Sequence, residues 1–145
     1  MLAVVATAPL GWAQAIEGDP AGGASLLRQA LARWTATGSQ VTTPLFLGLL
    51  AEAEQLAGRP AEALRLLDDA LAQTNRSGER YFDAELHRLR GESLAAVSPS
   101  GAADAEAAFA TSIELARRQD AKLFEDRAIA SLDRIRGAQQ AQSAR

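Results

Sequence analysis

The chain repeats itself at an interval of 40 residues. Ala30-Leu31-Ala32…Thr37-Gly38 aligns without gaps on Ala70-Leu71-Ala72…Ser77-Gly78, Gly18-Asp19-Pro20 on Gly58-Arg59-Pro60, and Leu26-Leu27 on Leu66-Leu67. A third copy follows after 42 residues, where Ala63, Leu67 and Ala70 are matched by Ala105, Phe109 and Ser112. The two extra residues fit in the turn Ser98-Pro99-Ser100-Gly101. Such a repeat restricts the fold to stacked copies of one small unit, because a single unit cannot bury its apolar face alone.

Each unit reads as two helices. Asp19 is placed to cap, and Pro20 falls at the first helical position, where its missing N–H costs nothing. That helix runs to about Ala36 and is stopped near Gly38. Pro60 starts the corresponding helix of the second unit, which ends near Asn75 and is stopped at Gly78. In the second unit Leu45, Leu49, Leu50, Ala53 and Leu56 have helical spacing, followed by Ala63, Leu64, Leu67, Ala70 and Leu71. Composition agrees: 48% of residues are hydrophobic but only 5% aromatic, so the apolar content is largely Ala and Leu, which favour helix over strand. Short turns make successive helices antiparallel neighbours. The expected fold is all-α, an αα-superhelix of three antiparallel helix pairs plus a C-terminal capping helix. Residues 1–137 form one domain with units of about 1–40, 41–80 and 81–120 and a final helix over 121–137, and the polar tail 138–145 frays.

Small residues recur in matching columns: Gly11, Ala51 and Gly91; Gly23, Ala63 and Ala105; Ala30, Ala70 and Ser112. Helices approach closely only where the side chain is nearly absent, and Leu27, Leu67 and Phe109 fill the space one turn later. With Leu10-Gly11, Leu50-Ala51 and Arg90-Gly91 ahead of them, these columns resemble the tetratricopeptide repeat, whose pattern has Leu-Gly in its first helix and Ala-x-x-x-Phe with a second Ala in its second. The chain departs from that pattern in lacking the early Trp and in its longer period. A narrower resemblance is to the C-terminal repeat region of large bacterial multidomain ATPases with nucleotide-cyclase or DNA-binding domains. It rests on Gly11-Trp12-Ala13, Ala57-Gly58-Arg59-Pro60, Ala84-Glu85-Leu86-His87-Arg88-Leu89-Arg90-Gly91-Glu92 and Ala116-Arg117-Arg118-Gln119.

Several function classes are disfavoured by composition. Net charge is −3, with an estimated pI of about 5.2 and Lys122 as the only lysine, so no basic stripe is available for nucleic acid. The absence of cysteine removes disulfides, thiolate metal sites and a cysteine nucleophile. There is no G-x-x-x-x-G-K-[ST] phosphate loop. His87 is the sole histidine and reads as a structural residue, while Asp68-Asp69 and Glu125-Asp126 are neighbours that do not share a helix face. No catalytic residue, metal or cofactor is expected.

The N-terminal MLAVVATAPLGWAQA contains a small-residue Ala13-Gln14-Ala15 but no basic residue ahead of the apolar run, which argues against a secretory signal. No stretch reaches the length of a membrane span. A cytoplasmic protein is therefore expected, with no membrane partner.

What remains is binding. Glu85, Arg88 and Glu92 lie on one helix face, and the repeat alignment places Glu52 in the column of Glu92. In tetratricopeptide proteins the first helices line a concave groove for peptides. By that resemblance Glu52, Gln55, Glu85, Arg88 and Glu92 would line a groove for a protein or peptide partner with a basic side chain; the alternative is a set of solvated residues with a weak Arg88–Glu92 pair. Trp12 shares the column of Glu52 and Glu92, and is either a groove contact or a core residue. At the C-terminus Arg127, Asp133, Arg134 and Arg136 suit a polar cap. At the N-terminus Met1 to Ala6 is apolar, and Pro9 should break or kink its helix. The expected function is a non-catalytic protein–protein interaction scaffold, the regulatory or assembly arm of a larger bacterial signalling ATPase. The alternatives are a fragment of a nucleotide cyclase or ATPase polypeptide with its catalytic domains upstream, and a homo-oligomerisation module that self-associates through the apolar N-terminal face.

Overall fold

The computed structural model describes residues 2–145; Met1, the first residue of the apolar N-terminal segment, lies outside them. Among the described residues the chain is all-helical, without strands: α1 (Leu2–Ile16), α2 (Pro20–Ala36), α3 (Thr43–Leu56), α4 (Pro60–Ser77), α5 (Asp83–Val97), α6 (Ala102–Arg118) and α7 (Lys122–Ser143), with a short 3-10 turn at Pro99–Gly101. The helices pack in neighbouring pairs within two compact units. The first unit ends at Arg80 and holds α1 to α4, and the second runs Tyr81–Arg145 and holds α5 to α7.

The punctuation follows the repeat. Asp19 caps α2 by accepting the Gly22 N–H at 3.0 Å, and Pro20 and Pro60 open α2 and α4. Gly18, Gly38, Gly58 and Gly78 follow the ends of α1 to α4 at intervals of 20 residues, and all have positive φ, between 75° and 123°. None has another group near the place of a Cβ, so the left-handed backbone alone calls for glycine there. After α6 the same column holds Asp120 at φ 53°, a conformation Asp tolerates better than most residues. The two-residue insertion is the 3-10 turn itself, which Ser98 caps by accepting the Ser100 N–H at 3.2 Å.

The small columns sit where backbones touch. A Cβ on Gly11 would stand 3.0 Å from both the Gly23 carbonyl oxygen and Leu27 Cγ, and one on Gly23 would run into the Gly11 carbonyl. In the second unit a Cβ on Gly91 would lie 2.6 Å from Cε1 of Phe109. Ala51, Ala63, Leu67, Ala70, Ala105, Phe109 and Ser112 are fully buried, and Ser112 satisfies its hydroxyl by donating to the Ala84 carbonyl at 2.6 Å. The first helices also meet one another within each unit, α1 against α3 and α5 against α7.

Two local expectations change. Pro9 lies inside α1, which continues unbroken to Ile16; the exposed ring costs the helix one backbone bond without ending it. At the other end α7 passes Gly137 and reaches Ser143, so most of the tail is helical. Gly137 meets nothing, and the Ala and Gln residues after it are good helix formers.

Candidate functional site

The residues expected to line a groove fall in both units. Glu52 and Gln55 lie on α3 of the first unit, and Glu85, Arg88 and Glu92 on α5 of the second. Helical spacing stacks the latter three on the face of α5 that meets α7. Glu85 is 2% exposed and Arg88 7%, joined by Arg88 Nη2 to Glu85 Oε1 at 2.8 Å and Nε to Oε2 at 3.0 Å. α7 completes the set. Arg127 Nη1 stands 3.0 Å from Glu85 Oε1, Arg88 Nη1 donates to Ser131 Oγ at 3.4 Å, and Arg134 pairs with Glu92. The Arg88–Glu92 pair is present at 3.5 Å but secondary to the forked pair with Glu85. Glu85 and Arg88 are therefore neither solvated nor open to a ligand: they form a buried ion pair beneath α7. Farther along α7 Arg136, itself exposed, joins Glu106 of α6 at 3.0 Å.

Glu52 does the equivalent work in the first unit. Trp12 Nε1 donates to Glu52 Oε2 at 2.6 Å, joining α1 to α3 through two residues of one repeat column. Trp12 is thus a half-buried bridge, while Trp34 is core, packed edge-on against Phe46 at 5.5 Å with its Nε1–H on the Val41 carbonyl. A further carboxylate escapes the sequence reading. Glu54 is fully buried and paired with Arg28 of α2 and with Arg59 at the start of α4. Its only sequence signal is a column shared with Gln14, which makes the analogous bond to Asp19 at 2.6 Å.

Among the described residues no group of three His, Cys, Asp or Glu is placed to hold a metal ion. His87 lines a shallow hollow of about 390 Å³ with Arg90, Asp104 and Thr111, but the Thr111 hydroxyl donates to the Ala107 carbonyl rather than to the imidazole. Burial pushes the His87 pKa below its ordinary 6.5, with Arg90 adding to that effect and Asp83 opposing it.

The feature that stands out is an uncovered face. On α1 Ala3, Ala6 and Leu10 are exposed and Ala13 half-buried, spaced as one helix face. The same columns of α3, Thr43, Phe46, Leu50 and Ala53, are buried, with Trp34 of α2 packed on Phe46. α1 has no charged side chain, and Leu10 is 63% exposed. Leu10, Ala13 and Leu26 of α2 border an open groove of about 650 Å³ that ends at Glu17 and Asp19. No protein-family model matches the chain, and no curated protein or solved structure matches it. Among the described residues no helix is long and apolar enough to cross a membrane.

Two outcomes follow from the α5–α7 face. Arg88→Ala leaves Glu85 buried with less compensation and should cost about 3 kcal/mol in urea unfolding; a loss below about 0.5 kcal/mol, the scale of an ordinary surface change, would contradict the buried pair. His87 is held neutral in a range where the unfolded chain protonates it. Its share of stability is complete above pH 6.5 and is lost as pH falls from there towards the folded pKa. His87→Gln should flatten the pH dependence of stability between about pH 7 and 5, above the window in which the depressed carboxylates Glu62 and Glu125 titrate. An unchanged slope would show that His87 does not titrate differently in the two states.

Proposed function

We propose that this chain is a non-catalytic, tetratricopeptide-like interaction scaffold that docks a protein partner on the uncovered face of α1 and the adjoining Leu26. One observation carries the reading: α1 leaves open the columns that α3 buries under α2. A chain that exposes such a face, with no charge along the helix, gains by covering it. The repeat columns and their resemblance to the helical arms of bacterial multidomain ATPases support a role as the regulatory or assembly arm of a cytoplasmic signalling protein. The α5 carboxylates belong to the scaffold in this reading, because α7 already occupies their face.

A photo-cross-linking residue at position 10 should give discrete protein adducts in cells, whereas the same group at the exposed Gln140 of α7 should give few. Equal labelling at both places would remove the assignment of the face. The purified chain should neither hydrolyse nor cyclise ATP; turnover above the buffer background that is lost on unfolding would overturn the non-catalytic reading.

A further inference from the structure

We infer that the occupant of the α1 face is the same face of a second copy of this chain, the two α1 helices running antiparallel about a two-fold axis; this rests on reading that face as a docking surface. The stripe Ala3, Ala6, Leu10, Ala13 has successive spacings of 3, 4 and 3 residues, which read the same in both directions. Antiparallel pairing centred on residue 8 sets Leu10 over the second copy's Ala6, Ala6 under its Leu10, and Ala3 against its Ala13. At the two central contacts a large side chain, Leu10, faces a small one, Ala6, the same arrangement that seats Leu27 against Gly11 inside the unit, and at the two ends Ala3 and Ala13 let the helices approach closely. An isologous contact of this kind closes at two subunits and leaves no open end.

Charge selects the same orientation. The helix has no acidic residue in its first turn and no basic residue in its last, and Glu17 and Asp19 follow its C-terminal end. Glu17 lies four residues beyond Ala13, on the stripe's own face. In the antiparallel pair it reaches the first turn of the second copy's α1, where unpaired N–H groups carry partial positive charge. Parallel pairing would instead gather four carboxylates at one end. Antiparallel is also how α2 lies on α3, whose matching columns are covered.

A 15-residue helix is about 22 Å long. The pair forms an interface at the small end of the specific range, so the dimer should be weak, with a Kd on the order of tens of micromolar.

Sedimentation equilibrium of the whole chain between about 5 and 500 µM, bracketing that Kd, should show the mass rising from monomer to dimer. Leu10→Glu should remain monomeric with unchanged helical circular dichroism, and Leu10→Ala should weaken association about tenfold. The exchange Ala6→Leu with Leu10→Ala should restore most of it, because large and small merely trade places across the axis. A wild-type chain that stays monomeric, a Leu10→Glu chain that dimerises, or an exchange variant no tighter than Leu10→Ala would each overturn the pairing. A monomer that still gives adducts with another protein from position 10 would refute the second copy and leave the docking surface standing. A monomer with no adducts at all would refute both.

Discussion

Close contact of small and large side chains holds each unit together. Gly11 and Gly23 let the backbones of α1 and α2 touch, and Leu27 fills the space beside them. Gly91 and Phe109 repeat this between α5 and α6 with a larger side chain against a smaller one, and Ala51 and Leu67 are the buried residues of the same columns in α3 and α4. Tight packing of this kind gains dispersion contacts that a looser helix pair forfeits, and it tolerates little change in volume.

Above the helix pair, a second layer of contacts within each unit ties α1 to α3 and α5 to α7 at about the repeat interval. Trp12 meets Glu52 forty residues on; Glu85 meets Arg127 and Glu92 meets Arg134 forty-two residues on; Arg88 meets Ser131. The interval matches the length of the repeat at each place, so α7 takes beside α5 the position that α3 takes beside α1. The polar residues of the first helices therefore fix register. A buried, forked Glu85–Arg88 pair is expensive to desolvate, and Arg127 and Ser131 of α7 add compensation to the bonds the pair makes within α5.

Much of this was legible in the sequence because it depends on local rules. Asp19-Pro20 and Pro60 mark helix starts, Gly38 and Gly78 mark stops, and the small columns mark close approach; each is a property of a few neighbouring residues. The parts that were not legible depend on which face a distant helix covers. Glu85, Arg88 and Glu92 share a face by periodicity, but only the placement of α7 decides whether that face is a groove or an interior. Glu54 is a carboxylate in an amphipathic helix like any other until Arg28 and Arg59 close over it. Pro9 has no local reason to be tolerated, yet α1 is held from one side by α2 and α3 and keeps its helix.

The uncovered face of α1 lies in the same columns that are buried in α3, where Trp34 of α2 packs on Phe46. The interlock of small and large side chains is tested most directly by a double-mutant cycle on Gly91 and Phe109 in urea unfolding. Gly91→Ala should destabilise the chain although alanine is the better helix former by about 1 kcal/mol. In a Phe109→Leu background, which recreates the Ala51–Leu67 pair, the same change should be much less costly, with a coupling of at least about 1 kcal/mol. Effects that simply add, to within about 0.5 kcal/mol, would contradict the interlock.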